Sequence, residues 1–365
     1  MAIVNSWSAQ SGPRAFCRRI ANAIEVHRRQ RLSLPIGDAA TPRPSIYFLT
    51  PDYRRPAGGI RVIYRHVDIL NSAGLRAFVL HQQPGFRCDW FDNQTCVTDV
   101  QSAKVQRGDL LVVPEVDADL LANVPKSARY VLFNQNVHLT WQHVSASEMK
   151  ALAQSPGLAG MLTVSAHNKE LLEYAFPGAP VKRVHIGIDA ALFNRGSDAR
   201  RAARITYMPR RGKDDAQQVL NVLHSRGTLD GWDVVALDGL SHQAVADQLR
   251  MSRIFLAFTH QEGFGLPAAE AMACGNYVIG SSGFGGSEFF RAEFSKPVES
   301  GDVLGFARAV EEAIGRERAQ PGWCAQRGAR ASQFVLENYT LERERTDVLA
   351  FYREAISAGA RKAAA

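Results

Sequence analysis

The chain has 365 residues, of which 46% are hydrophobic and 22% are charged, a composition typical of soluble globular proteins. This length is too great for one ordinary core and predicts two domains of about 150–180 residues each. No run approaches the roughly 18–20 apolar residues of a membrane span, and no apolar secretory segment follows the first residues, so we expect neither feature. The five cysteines include no C-x-x-C pair, which indicates reduced thiols in a cytosolic protein rather than a disulfide or zinc framework.

The formal net charge of +7 lies entirely in the first half of the chain. Residues 1–188 contain 21 lysines and arginines against 14 acidic residues, whereas residues 189–365 are balanced at 22 and 22. No basic motif is interleaved with aromatic residues, so a nucleic-acid partner is not favoured. An anionic membrane surface or an acidic acceptor suits this half better. We therefore expect a cytoplasmic protein, with peripheral attachment to the inner face of the membrane as a further hypothesis.

Residues 1–44 are predicted to form a basic extension ahead of the first domain. Within it, residues 14–32 place Phe16, Ile20 and Ile24 at helical spacing. One interpretation is an amphipathic helix that lies on a lipid surface. The other, which we favour, is a helix docked on the following domain with its arginines in water.

The first domain opens with a strand–helix–strand pattern. Residues 45–50 and 77–80 have the composition of buried strands, and residues 60–73 between them have helical periodicity. Gly58 and Gly59 precede this helix, where backbone N–H groups can approach an anion. A Gly-Gly pair is more often only a turn, but its position after the first strand favours a binding role.

An Asp-x-Asp pair follows the next buried strand, which is predicted over residues 110–114. Asp117 and Asp119 could hold a metal ion in that position. They run directly into an apolar helical pattern, however, and are explained more simply as the cap and first-turn acids of a helix. We therefore predict no metal site.

Polar and aromatic side chains follow the strand predicted over residues 130–133. They include His138, Trp141 and His143. Ligands of open α/β sheets bind at the carboxyl ends of the strands, so this loop is expected to face a cleft between the domains. His138 is our candidate for contact with a sugar or an acceptor, and the alternative is a hydrogen-bonded loop histidine.

The second domain is predicted to begin near Gly187, after strands over residues 160–165 and 181–186. Its first strand, residues 205–208, ends in a basic loop. Further elements are predicted as strands over residues 232–237, 253–259 and 277–280 and as helices over residues 217–223, 243–249, 267–275, 302–314 and 339–356. The basic side chains of the loop are Arg210, Arg211 and Lys213.

Two carboxylates, Glu262 and Glu270, flank a glycine-containing loop between the strand at residues 253–259 and a helix that Pro267 begins. Taken singly, Glu262 is explained as a solvated loop residue and Glu270 as an acid that complements the helix dipole. Together they form a pair of hydrogen-bond acceptors suited to a polyhydroxylated ligand. A phosphate on that ligand could then meet backbone N–H groups at the start of the helix.

The stretch EGFGLPAAEAMACG, with the Gly-Gly-x-Glu of residues 285–288, resembles the donor-binding signature of retaining GT-B glycosyltransferases of the glycosyltransferase family 4 type. In that family, the resemblance implies, Glu270 binds the ribose hydroxyls of a nucleotide sugar and Glu262 contacts the transferred sugar. Glu288 is implied to support the donor loop. The backbone N–H groups implied to bind the diphosphate or the sugar belong to Gly263, Phe264, Gly265 and Leu266.

The same resemblance implies a set of phosphate contacts that replaces a metal ion. Gly58 and Gly59 would approach the donor phosphates from the first domain. Either Arg210 or Arg211, together with Lys213, would clasp the diphosphate, whose negative charge grows as the glycosidic bond breaks. No cofactor and no divalent metal are therefore expected.

The fold implied is α/β, with two Rossmann-like, doubly wound domains facing a central cleft and a C-terminal helix that crosses back to the first domain. We place these domains at residues 45–187 and 188–340 and the crossover helix with its tail at residues 341–365. The activity implied is transfer of a sugar, with retention, from a nucleotide sugar to a glycan or lipid-linked acceptor in cell-surface polysaccharide synthesis. The alternatives are an epimerase or phosphorylase on the same scaffold, or a non-catalytic glycan-binding protein.

Overall fold

The computed structural model describes residues 34–37, 43–125, 127–196, 201–210 and 212–364, with side chains as far as residue 358. The basic segment at residues 14–32 and the predicted diphosphate-binding residue Arg211 lie outside these residues. The described chain folds around two parallel sheets, the first ending at Arg183 and the second beginning at Arg204. The predicted division at Gly187 falls between the two sheets.

The first sheet has seven strands in the order β3-β2-β1-β4-β5-β6-β7, all of them parallel. Its strands are β1 (Ser45–Leu49), β2 (Arg76–His81), β3 (Val97–Asp99), β4 (Leu110–Pro114), β5 (Arg129–Asn134), β6 (Leu158–Thr163) and β7 (Val181–Arg183). Ile46 and Phe48 pack into one core while Tyr47 and Leu49 pack into another, because the sheet is covered on both faces. The strand order reverses direction beside β1, which is the switch point where ligands bind in such folds.

The helices of this domain are α1 (Gly58–Ser72), α2 (Ala146–Ala153) and α3 (Ala166–Ala175). Two short 3₁₀ segments, Glu115–Asn123 and Val137–Leu139, follow β4 and β5. Asp117 therefore lies in the first turn of a 3₁₀ segment, where an α-helix was predicted. The side chain of Asp117 is completely buried.

The second sheet has five parallel strands in the order β12-β11-β10-β8-β9. Its strands are β8 (Arg204–Tyr207), β9 (Asp233–Ala236), β10 (Ile254–Ala257), β11 (Tyr277–Gly280) and β12 (Ser295–Pro297). Its helices are α4 (Lys213–Ser225), α5 (His242–Met251), α6 (Leu266–Ala273), α7 (Val303–Ala319) and α8 (Trp323–Asn338). The strand–loop–helix unit predicted around Glu262 is thus formed by β10 and α6.

The last helix, α9 (Leu341–Ala364), packs against α1 and β6 of the first domain. Tyr352 is fully buried with its ring centroid 5.3 Å from that of Phe48. Burial of a phenylalanine side chain such as that of Phe48 stabilises a fold by about 1.5–3 kcal/mol. The buried carboxylate of Glu344 accepts the Gly187 N–H at 3.0 Å and pairs with Arg65 at 2.8 Å. The last helix, which follows α8 of the second domain, therefore crosses back onto the first domain through apolar and charged contacts, as predicted.

Candidate active site

The loops at the carboxyl ends of β5 and β10 contact each other across the two domains. Asn136 donates a side-chain hydrogen bond to the Gln261 carbonyl oxygen at 3.2 Å. A Cβ atom on Gly263 would lie only 1.6 Å from the Gln135 carbonyl oxygen. No other residue type fits at Gly263 while the loops stay this close, so the absence of a side chain sets the distance between the domains at the site.

The first turns of α1 and α6 also meet at this interface. A Cβ atom on Gly58 would lie 2.8 Å from Cδ1 of Leu266, the first residue of α6. Neither N-cap residue, Ala57 or Gly265, supplies a side-chain hydrogen bond to its helix. Two sets of helix N-terminal N–H groups therefore lie side by side, an arrangement that favours an anion such as a diphosphate.

Phe264, between the two loop glycines, contributes its backbone rather than its side chain to the loop surface. Its ring is 4% exposed and packs 5.3 Å from the rings of Phe289 and Tyr339. This packing fixes the loop that leads into α6. The contact predicted between Phe264 and a bound donor is therefore one that only its backbone N–H group could make.

Glu270 lies at the interface with its carboxylate directed at the first domain. It is 5% exposed, and its Oε1 atom accepts from Arg61 Nη2 at 2.7 Å. The Nε2 atom of His242 lies 3.4 Å from the same oxygen. Burial by itself raises the pKa of Glu270, but Arg61 and His242 outweigh it and hold the pKa below its ordinary value. The carboxylate is therefore ionised and able to accept hydroxyl groups.

Arg61 and His242 were not identified from the sequence. Arg61 comes two residues after the Gly58-Gly59 pair, so its place in the first turn of a helix near the site was a usable signal. His242 begins α5 at the end of the loop that follows β9, and no local pattern marks it.

Glu262 lies in the loop between β10 and α6 and is half-buried. Its N–H group donates to the Gly283 carbonyl oxygen at 2.8 Å, and its own carbonyl accepts from Gly285 at 3.1 Å. A Cβ atom on Gly283 would lie 2.8 Å from that of Glu262. The loops that follow β10 and β11 are therefore tied together, which holds Glu262 between the two glycine-containing stretches.

His138 faces the second domain as part of an aromatic cluster, which we define as His138, His167 and Phe284. The two imidazole rings stack at 5.3 Å, and the Phe284 ring lies 5.4 Å from His138 and 5.2 Å from His167. Burial, and then the neighbouring His167, lower the pKa of His138, so its imidazole is neutral. The buried Nε2 atoms of both histidines lack a hydrogen-bond partner within the described residues.

Phe284 has a backbone φ of 69°, the left-handed region that glycine favours, and its side chain is 49% exposed. Residues held in such strained backbone conformations cluster at functional sites. Of these three residues, only His138 was identified from the sequence, because His167 follows an ordinary helix cap and Phe284 is surrounded by glycines.

The predicted cationic loop approaches the first domain through Arg210. Its guanidinium donates to the carbonyl oxygen of Pro56, just before Gly58. Lys213 is exposed at the start of α4. Arg210 therefore reaches the side of the interface where α1 begins, while the position of Arg211 lies outside the described residues.

Glu288 has other partners than the donor loop to which it was assigned. Its Oε2 atom accepts from the Ala166 N–H at 3.1 Å, and its Oε1 atom accepts from Tyr339 at 2.9 Å and from Arg183. These contacts occupy the carboxylate on the side of α3 and β7. Glu288 thus links the two domains, and its role in supporting the donor loop stays a prediction.

Glu115, which the sequence did not indicate, holds the β5 loop in place. Its two carboxylate oxygens accept from the N–H groups of Gln135 and Asn136, each at 3.0 Å. Burial raises the pKa of Glu115 from 4.5 to about 7. The group that positions Asn136 against the second domain therefore titrates near neutral pH.

We predict that Glu115→Gln flattens the dependence of stability on pH. Because the folded pKa is raised, the contribution of Glu115 is fully present below pH 4.5 and is lost as the pH rises through about 7. This shift corresponds to about 3 kcal/mol between those limits. Urea unfolding at several pH values measures it, with Glu173→Gln on the exposed face of α3 as the control. Parallel pH profiles for wild type and Glu115→Gln would contradict the prediction.

The chain is similar in sequence and in fold to several known proteins. Residues 231–322 match the family model described as glycosyl transferases group 1. An α-1,6-glucosyltransferase of Actinobacillus pleuropneumoniae serotype 7 (strain AP76) is 24% identical over 288 residues, which cover 74% of this chain and 83% of that protein. Sucrose-phosphate synthase from Thermosynechococcus elongatus has a TM-score of 0.66 at 16% identity, with 87% of this chain and 100% of that chain covered.

The structure of Anabaena HepE in complex with UDP and glucose is similar with a TM-score of 0.59 at 13% identity, over 87% of this chain and 99% of that chain. The fold is GT-B. Together with the family match, these similarities support a GT-B glycosyltransferase. The matched segment contains Glu262 and Glu270, so the family match and the interface geometry concern the same loop of the GT-B fold.

The described part of the chain contains neither a metal-ligand cluster nor a membrane-spanning helix. Among its described residues, no group of three or more histidine, cysteine, aspartate or glutamate side chains could hold a metal ion. Over the same part of the chain, no helix is both long and apolar enough to cross a membrane. The four cysteines in these residues, Cys88, Cys96, Cys274 and Cys324, are free thiols.

Proposed function

We propose that this protein transfers a hexose from a nucleoside-diphosphate sugar to a hydroxyl group of a glycan or lipid-linked acceptor, with retention at the anomeric carbon. The observation that carries the proposal is Glu270, a buried and ionised carboxylate beside two uncapped helix N-termini at a domain interface. A carboxylate accepts hydroxyl groups, and helix N-termini favour phosphate. Ribose and diphosphate are neighbours in a nucleotide sugar, as these two features are in the protein.

The donor would be held mainly by the second domain. Glu270 would accept the ribose hydroxyls, and the N–H groups at the start of α6 would meet the diphosphate. Arg210 borders the same interface, and Lys213 lies at the start of α4. Both would supply fixed positive charge as the diphosphate leaves. The similar HepE structure contains UDP and glucose, which supports a nucleotide sugar as the donor.

The reaction would need positioning and charge stabilisation more than a protein nucleophile. In a front-face mechanism, the acceptor hydroxyl attacks from the side of the leaving diphosphate, whose oxygen takes the proton. His138, neutral and with a buried Nε2 atom, could exchange a hydrogen bond with a sugar hydroxyl. Fixed cations and helix N-termini would take the role that a metal ion has in other glycosyltransferases, so we propose a metal-independent reaction.

The sugar and the acceptor are proposed from the relative. The Actinobacillus relative is named as an α-1,6-glucosyltransferase, which supports glucosyl transfer to a saccharide hydroxyl. An α-linked product formed from an α-linked nucleotide sugar requires retention. We propose a role in cell-surface polysaccharide synthesis on the cytoplasmic face of the membrane, with peripheral attachment through the basic first half of the chain.

A nucleotide panel tests the donor assignment. We expect one of UDP, GDP, dTDP and ADP to raise the melting temperature, because a ligand that binds only the folded state stabilises it by about 2.7 kcal/mol at a hundredfold excess over Kd. Thermal melting with each nucleotide, with and without added Mg²⁺, measures the effect. Stabilisation by none of the four would contradict the proposal.

The alternatives have different signatures in the same assays. Turnover of the nucleotide sugar to an isomer without any acceptor would indicate an epimerase, and dependence on inorganic phosphate would indicate a phosphorylase. Binding of glycans without any nucleotide binding would indicate a scaffold.

A further inference from the structure

The ion pair between Arg61 and Glu270 joins the two domains inside the proposed donor site. The residues are 209 positions apart, and their side chains are only 16% and 7% exposed. Arg61 Nη1 also contacts the imidazole of His242, which in turn approaches Glu270 Oε1. A guanidinium and an imidazole therefore converge on one carboxylate oxygen.

This arrangement sets Arg61 in competition with a nucleoside. In the proposed function, the two ribose hydroxyls donate to both oxygens of the Glu270 carboxylate. Arg61 already occupies one of these oxygens, Oε1. Removing one partner from a buried ion pair is costly, because the other charge is left without compensation. A nucleoside that displaced Arg61 would offer the guanidinium nothing in return.

A diphosphate would offer the Arg61 guanidinium a new anionic partner in place of Glu270. Arg61 lies in the first turn of α1, which begins at Gly58, and Gly58 abuts Leu266 at the start of α6. The phosphate position proposed at these two helix N-termini is thus close to the guanidinium. The planar guanidinium matches phosphate oxygens as well as carboxylate oxygens, through two parallel hydrogen bonds.

We propose that Arg61 exchanges Glu270 for the pyrophosphate when the donor binds, and so makes binding depend on the diphosphate. The inference rests on the proposed function. In the unliganded protein, Arg61 neutralises the buried Glu270. In the complex, the ribose hydroxyls take over the carboxylate and Arg61 becomes a phosphate-binding residue that the first domain contributes. Arg61 would therefore set the preference for a nucleoside diphosphate over its nucleoside.

The test compares the dissociation constants of UDP and uridine for wild type, Arg61→Gln and Arg61→Lys by calorimetry. If the panel above selects another base, the diphosphate and nucleoside of that base replace them. We expect Arg61→Gln to weaken UDP binding, to leave uridine binding equal or tighter, and so to reduce the preference for UDP by roughly tenfold or more. Arg204→Gln is the control, because Arg204 pairs with Asp233 at the opposite end of β8.

Two results would overturn the inference. One is an unchanged preference in Arg61→Gln, and the other is an equal loss of UDP and uridine binding, which would mean that Arg61 only holds Glu270 in place. If thermal melting shows that Arg61→Gln does not fold, Arg61→Lys decides. Lysine cannot make the two-point contact and should reduce the preference at least about threefold, so an unchanged preference there is equally contrary.

The proposed function and this inference fail in different ways. A wild-type protein that binds no nucleoside diphosphate contradicts the proposed function. A wild-type protein that binds UDP, loses it on substitution of Glu270 and keeps its UDP preference in the Arg61 variants contradicts the inference alone.

Discussion

Replacement of Glu270 by glutamine is expected to weaken UDP binding roughly ten- to a hundredfold. Glutamine preserves the volume of the buried side chain but removes the negative charge that Arg61 and His242 stabilise. It also offers the ribose hydroxyls one neutral oxygen where the carboxylate offers two charged ones. Isothermal calorimetry with UDP measures the change in Kd, and transfer kinetics should show the same loss in kcat/KM.

The matched control for this substitution is Glu317→Gln. Glu317 is also buried in the second domain and is paired with an arginine, Arg253, at 3.1 Å. It accepts hydrogen bonds from the N–H groups of Gly322 and Cys324. Arg253 directly precedes β10, at the amino-terminal end of that strand and away from the interface. Both variants should lose stability, but only Glu270→Gln should lose UDP. A Kd for Glu270→Gln within about twofold of wild type would refute the site assignment.

Replacement of Gly263 by alanine is expected to lower kcat about a hundredfold. UDP binding should weaken by a smaller factor, because the first domain contributes Arg61 and the α1 N-terminus to the proposed diphosphate site. The added Cβ atom would lie 1.6 Å from the Gln135 carbonyl oxygen, so the β5 and β10 loops have to separate. Glu270 and the α6 N-terminus belong to the same domain and stay together. The groups of the first domain, among them His138, would no longer be positioned against the sugar. Steady-state kinetics combined with UDP calorimetry separates the two effects.

Gly315→Ala is the control for the cost of adding a methyl group to a glycine. Gly315 lies within α7, where an added Cβ atom meets no other atom within 4 Å. Alanine in a helix interior is favoured over glycine by about 0.5–1 kcal/mol, so this variant should be as active as wild type and slightly more stable. Wild-type kcat in Gly263→Ala would show that turnover does not need the observed contact between the two loops.

The Glu262–Glu270 loop could be predicted from the sequence because its signals are local. A buried strand, two glycines, a proline at the start of a helix and a glycine at its end all lie within about one strand–helix unit. The structure places this unit as β10 and α6. The long apolar runs of β1, β4 and β5 were likewise identified, because parallel strands covered on both faces lack polar alternation.

Shorter elements escaped prediction for physical reasons. The edge strands β3 and β12 have three residues each, too few to show any periodicity. Helix α2 begins with a capping box formed by Ser145 and Glu148, a sequence signal that was available but was not used. The 3₁₀ segment after β4 was predicted as an α-helix because both structures favour acidic residues in their first turn.

The sequence alone determined the order of the strands along the chain, the glycine-containing loops and the identity of the two glutamates, since each follows from neighbouring residues. Only the tertiary structure decided which side chains meet them. Arg61 reaches Glu270 across 209 residues, Glu288 turns to Ala166, and His138 stacks with His167 and Phe284. Such pairs depend on how two separately folded sheets dock, and docking is set by the shape and charge of whole surfaces rather than by any local pattern.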